Sequence, residues 1–240
     1  MQETNNKNEA APIESPPPQM SVLAKIIGIF LEPRKTFNAL EKKPDFIIPL
    51  VLVVIVAFIL TYISSPILQQ STLEMSRERM MDQGMTETQI QLALEQQQKY
   101  GKIGGLIAVP LTSLLSPLII AAVLLFAGNI LLGGNAKYKQ LFSLYCYTSL
   151  IDIITYAVRT ILILIKQDIR VYTSLAALLP PDYYKLFWFK FANIFDIFVI
   201  WKIIVVSIGM SVLYRISTRK PLITVSLIYL IFALVSISFL

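Results

Sequence analysis

Residues 46–68 read FIIPLVLVVIVAFILTYISSPIL, an apolar run with no ionised side chain between Asp45 and Glu74. A helix rises 1.5 Å per residue, so about 20 such residues cross a hydrocarbon core about 30 Å thick. Backbone amides in oil must bond within their own helix, so this run reads as a transmembrane helix. Four further runs of similar length and character follow, at about 103–132, 141–165, 195–214 and 221–240. The fold class read from them is an all-α membrane protein, a bundle of five transmembrane helices.

Composition agrees. The chain is 55% hydrophobic and 15% charged, with a mean hydropathy of +0.66, which leaves too little polar surface for a soluble globule. A net charge of +6 could suggest nucleic acid. The basic residues, however, stand beside and between the apolar runs instead of in one patch, so no nucleic-acid partner is expected. The chain has no histidine and a single cysteine, which excludes a Cys/His zinc site, a disulfide within the chain and a histidine-based triad. No cofactor and no metal are expected. Cys146 lies within an apolar run and reads as a small packing residue.

The rest of the chain divides around the spans. Residues 1–20 form a polar tail with the run Ser15-Pro16-Pro17-Pro18, too poor in large aliphatics to order itself. From Ser21 to Leu31, Val22, Leu23, Ile26, Ile27, Phe30 and Leu31 recur at helical spacing, with Ser21 placed to cap the start and Pro33 to mark the end. This segment is too short to span and predicts an N-terminal amphipathic helix in the headgroup plane. A signal peptide is the weaker reading, because the supposed cleavage region is the basic Pro33-Arg34-Lys35. The loop 69–102 is polar and Gln-rich, and Thr86-Glu87-Thr88-Gln89 has the spacing of a capping box, so a helix pair or one long soluble helix is expected there. It reads as a solvated connector before it reads as a partner-binding element. Pro110 and Pro117 should bend the second span, and Gly101 with Gly105 has GxxxG spacing. Before the fourth span, Pro180-Pro181 and the aromatic cluster from Tyr183 to Phe191 predict a second interfacial helix.

Basic residues set the expected orientation. With a cytoplasmic N-terminus, the inner segments carry eleven: Lys7, Lys25, Arg34, Lys35, Lys42, Lys43, Lys137, Lys139, Arg215, Arg219 and Lys220. The outer loops carry eight: Arg77, Arg79, Lys99, Lys102, Lys166, Arg170, Lys185 and Lys190. The two inner turns are short and consistently basic, which is where the positive-inside rule acts. The expected topology is N-terminus in, C-terminus out.

Four ionisable residues fall in the apolar runs: Asp152 and Arg159 in the third, Asp196 and Lys202 in the fourth. An unpaired charge at mid-membrane costs about 3 kcal/mol on insertion scales, so each is expected to face a partner or water. Asp152 and Arg159, seven residues apart, share a helix face, and Lys202 has the length to snorkel or to reach Asp152. One reading is a polar pathway lined by these groups. The preferred one is charge contact between helices, with Asn129, Ser143 and Thr155 as supporting hydrogen-bonding groups.

Short motifs in a fixed order add a family resemblance. They are Glu32-Pro33-Arg34-Lys35-Thr36-Phe37-Asn38-Ala39-Leu40, then Tyr138 to Tyr147, then Asp196-Ile197-Phe198-Val199-Ile200-Trp201. Ser207-Ile208-Gly209-Met210-Ser211 and Arg219-Lys220-Pro221 follow. Over residues 21–240 the chain resembles a Yip1-domain protein of the prokaryotic type, with Pro33, Asp196, Trp201 and Gly209 at family-pattern positions. The resemblance implies five membrane helices, a cytoplasmic N-terminus and a place in a prokaryotic inner membrane. Eukaryotic members are associated with vesicle traffic and prenylated Rab GTPases, but their acidic, tyrosine-containing motif is not evident here. The function expected is a non-enzymatic membrane organiser or adaptor, its partners being the lipid bilayer and other membrane proteins, or further copies of itself. The alternative is a small transporter or channel.

Overall fold

Apart from an isolated antiparallel bridge between Ser174 and Asp196, regular structure among the described residues of the computed structural model is helical. It describes residues 20–180 and 183–239; the expected unordered tail therefore lies outside the described residues, apart from Met20. Helix α1 (Val22–Leu31) starts where expected, with the Ser21 hydroxyl accepting from the Ala24 N–H. Pro33 then opens a second helix, α2 (Pro33–Lys42), at a position where its missing N–H is not needed. The basic stretch after α1 is therefore helical. Thr36, Phe37 and Leu40 fall on one face and are buried.

Helices α3 (Ile47–Asp82) and α4 (Glu87–Phe126) contain the first two apolar runs and continue far beyond them. At 36 and 40 residues they are about 54 and 60 Å long, so each outreaches a hydrocarbon core by more than 20 Å. The polar loop 69–102 is thus a helix pair, formed by the prolongations of both spans. A Thr86–Gln89 capping box starts α4, and Gly84, at φ 74°, takes the left-handed turn between the helices. Gln69 Nε2 donates to the Gln98 carbonyl at 3.1 Å, Gln97 Nε2 donates to Ser76 Oγ at 3.0 Å, and Arg77 pairs with Glu87 at 2.6 Å. Helix α4 runs through Pro110 and Pro117 and ends in a π-helical turn, Ala127–Leu131.

The third apolar run is broken. Helix α5 (Tyr138–Thr148) stops and α6 (Ile151–Lys166) begins after a two-residue turn. The hydroxyls of Thr148 and Ser149 bond back to the carbonyls of Leu144 and Cys146, and i to i+3 backbone bonds tighten the turn. Every residue of α5 from Leu141 to Thr148 is buried. After a loop and a short 3-10 turn (Leu175–Leu178) come α7 (Phe187–Asn193), α8 (Ile197–Leu213) and α9 (Arg219–Phe239).

Among the described residues, four segments are long and apolar enough to cross a membrane: Ile47–Asp82, Ile103–Leu131, Tyr138–Lys166 and Arg219–Ile237. The remaining expected span corresponds to α8, an apolar helix of 17 residues. Contacts define two ends of the molecule. At one, Gln140 donates to the Glu41 carbonyl, Arg215 pairs with Glu41, and Arg34 donates to Thr218. At the other, Lys185 pairs with Asp82 on the long arm of α3, and Tyr184 donates to Glu78. Helix α8 runs from the second end to the first, and α9 returns.

Candidate functional site: a polar core around a buried helix

Helix α5 presents hydroxyls on two flanks. Ser143 and Tyr147, four residues apart, share one; Tyr145, about 200° around the axis from Ser143, lies on the other. Each flank meets an ion pair.

On the Tyr145 flank, Lys202 of α8 donates to both carboxylate oxygens of Asp152, at 2.8 and 2.9 Å. It also donates to Tyr145 Oη at 3.3 Å and stands 5.2 Å from that ring's centre. The side chains are 18% and 22% exposed for Lys202 and Asp152, so this is a largely desolvated pair. Asp152 sits in the first turn of α6, where the positive end of the helix dipole favours a carboxylate. The break between α5 and α6 creates that helix start beside the lysine.

On the other flank, Lys25 of α1 is 5% exposed and pairs with Asp45 in the linker before α3. Tyr147 donates to Asp45 Oδ1 at 2.5 Å, and Ser143 donates to the Asp45 carbonyl. The sequence reading used Lys25 only as a topology charge and passed over Asp45. A signal was present, since Lys25 stands on the same strip of α1 as Gly28 and Ile29, the other buried residues of that helix.

The remaining candidates are placed elsewhere. Asp196 is the N-cap of α8: its carboxylate accepts from the N–H groups of Phe198 and Val199 and from the Thr173 hydroxyl. Asn129 is tied to the backbone of Ala136, donating to its carbonyl at 3.1 Å and accepting from its N–H at 3.0 Å, which fastens the loop after the π-helical turn. Arg159 is exposed and makes no ion pair among the described residues. Asp152 and Lys202 are therefore brought together, while Arg159, Asp196 and Asn129 stand apart from them. Pro33 is the first residue of α2, and Trp201 packs edge-on against Phe30 of α1 at 5.9 Å. Gly209 lets α8 lie against α5, because a Cβ there would come 2.6 Å from Leu144 Cδ1 and 3.0 Å from Phe37 Cε2. Thr155 donates to the carbonyl of Ile151. Gly101 and Gly105 mark no such close approach: a Cβ at Gly101 would meet only Gln97, and one at Gly105 nothing.

Outside the spans, burial disfavours the Asp168 carboxylate, but the backbone N–H and guanidinium of Arg170 outweigh it and hold it below the usual carboxylate range. Asp82 raises the exposed Lys185 ammonium above its ordinary value. Among the described residues, no three His, Cys, Asp or Glu side chains gather where a metal could be held. Both lysines of the polar core are engaged by carboxylates, and neither stands free as a base or nucleophile. The chemistry present is charge neutralisation between helices.

No curated protein and no solved structure matches the chain. The Yip1 domain family model matches residues 27–240, so the match takes in the buried α5, both aspartates of the polar core and the close contact at Gly209. The chain belongs to the Yip1-domain family of membrane proteins.

Proposed function

We propose that this protein is a non-catalytic membrane organiser, a helical bundle that binds other membrane proteins through the outward faces of its spans. The observation that carries this reading is the closure of the Lys202–Asp152 pair. The intramembrane charges that do meet are spent on each other at 2.8 Å, which leaves the outer helix surfaces as the place for interaction. Helix α9 is the least buried of the four long apolar segments, with Ile223, Leu227, Ile231 and Val235 exposed at helical spacing. A solute pathway lacks the same support, since Asp196 caps a helix and Arg159 lies outside the pair.

In this reading α8 is the fifth crossing. Its 17 residues span about 26 Å, within reach of a hydrocarbon core once its flanking residues are added. Helix α1 lies in the headgroup plane: it turns Lys25 and Ile29 inward while Leu23, Ile27 and Leu31 are exposed along the opposite strip. The N-terminus is then cytoplasmic and the C-terminus outside, in a prokaryotic inner membrane, with Arg34, Lys137 and Arg215 on the cytoplasmic side.

The test is site-specific photocrosslinking from Ile231 and Ile223 in native membranes, together with flux measurements in proteoliposomes. Discrete protein adducts at both positions, with no flux, are expected. Solute or ion flux that disappears in Lys202→Met, without any protein adduct, would overturn the reading in favour of transport.

A further inference from the structure

A cleft of about 910 Å³ lies away from the polar core, between the arm of α3, helix α7 and the C-terminal half of α9. We propose that it holds an anionic membrane phospholipid, with the phosphate against Arg79 and Lys190 and the acyl chains along α9.

The lining has two characters. One wall is apolar, with Phe232 and Ile237 of α9 and Phe189 of α7; the other belongs to the arm and carries Glu78, Arg79 and Asp82. An apolar wall that continues a membrane helix and a charged wall that continues into an extramembrane arm place the cleft across the edge of the hydrocarbon. A molecule with both an apolar and an ionic half fits there.

The sign of the ionic half follows from the partners already made. Asp82 is taken by Lys185 at 2.6 Å, and Glu78 accepts from Tyr184 at 3.0 Å. Arg79 and Lys190 make no ion pair among the described residues, and against these two cations stands one carboxylate, Glu78, whose charge the neutral Tyr184 hydroxyl does not offset, so the net unspent charge of the described lining is positive. A guanidinium and an ammonium together suit a phosphodiester, the arginine as a planar fork and the lysine as a point charge. The volume is that of a typical ligand site, enough for a headgroup and the upper part of its chains. This proposal is independent of the organiser role.

The test uses the full chain in detergent with equimolar phosphatidylcholine and phosphatidylglycerol, read by native mass spectrometry. One phosphatidylglycerol per chain is expected to stay bound to the wild type. The double variant Arg79→Gln/Lys190→Gln should reduce that retention at least tenfold, while Lys99→Gln, on an exposed arm lysine, should leave it unchanged. Ser236→Trp, which fills the α9 wall without removing a cation, should also abolish retention and decides the matter if the double variant does not fold. Glycerol 3-phosphate, a phosphate without chains, should not displace the lipid. Equal retention of phosphatidylcholine, retention unaffected by either cleft variant, an equal loss in Lys99→Gln, or displacement by glycerol 3-phosphate would each overturn the assignment.

Discussion

Removing one member of the Lys202–Asp152 pair tests whether the polar core is closed. The pair is bidentate at 2.8 and 2.9 Å, with both side chains less than a quarter exposed. Lys202→Met leaves a desolvated carboxylate without its counter-ion, a change that costs about 3–5 kcal/mol when a buried pair is broken. For a chain of this size that corresponds to a fall of roughly 6–20 °C in Tm. Asp152→Leu should cost a similar amount, because the remaining Tyr145 hydroxyl, at 3.3 Å, supplies no charge. The double variant removes both charges and should return to within about 1 kcal/mol of wild type. The assay is a double-mutant cycle on thermal unfolding in nanodiscs, with an expected coupling of about 3 kcal/mol or more. Single substitutions that cost under about 1 kcal/mol and simply add in the double variant would refute the argument, since they would mean that both groups are already solvated.

Three other outcomes follow from individual contacts. Gly209→Ala forces a methyl to within 2.6 Å of Leu144 and 3.0 Å of Phe37 and should lower Tm, at a cost of about 1–3 kcal/mol; Gly105→Ala meets nothing and should leave Tm unchanged or raise it by its helix propensity, up to about 1 kcal/mol. In the Lys25–Asp45 pair the lysine side chain is 6% exposed and the aspartate side chain 37%, so Asp45→Ala, which strands the buried ammonium, should lower Tm more than Lys25→Met, which leaves a carboxylate open to water and still bonded to Tyr147; equal losses would contradict the difference in burial. The Tyr214 hydroxyl is buried with no hydrogen-bond partner among the described residues, so Tyr214→Phe should not lower Tm, and a loss above about 1 kcal/mol would reveal a partner.

What could be read in the sequence was what local chemistry dictates. Residues 46–68 become helix because no other backbone satisfies itself in oil, and Ser21 and Thr86 cap helices because hydroxyl oxygens stand where N–H groups need acceptors. The Lys202–Asp152 contact could be anticipated from side-chain length and the cost of an unpaired charge. Asp196 lies on a boundary where the same residue type serves as an intramembrane acid or as a cap, and only the φ, ψ of the chain, here −86° and 133°, distinguishes them. Asp45 could not be singled out because its partners come from residues 20 and 102 positions away, and no local pattern encodes that meeting. The break between Thr148 and Ile151 was hidden by an apolar run that continues across it, although the adjacent hydroxyls of Thr148 and Ser149 were the available hint.

Helix α5 is held from opposite sides, by Asp45 through Ser143 and Tyr147 and by Lys202 through Tyr145. Such a rod is torsionally locked: turning it about its long axis by even one residue's worth of arc pulls hydroxyls off both anchors in the same stroke. Any rearrangement of the bundle must therefore either carry this element as a fixed axle, with the outer helices pivoting around it, or release both grips together.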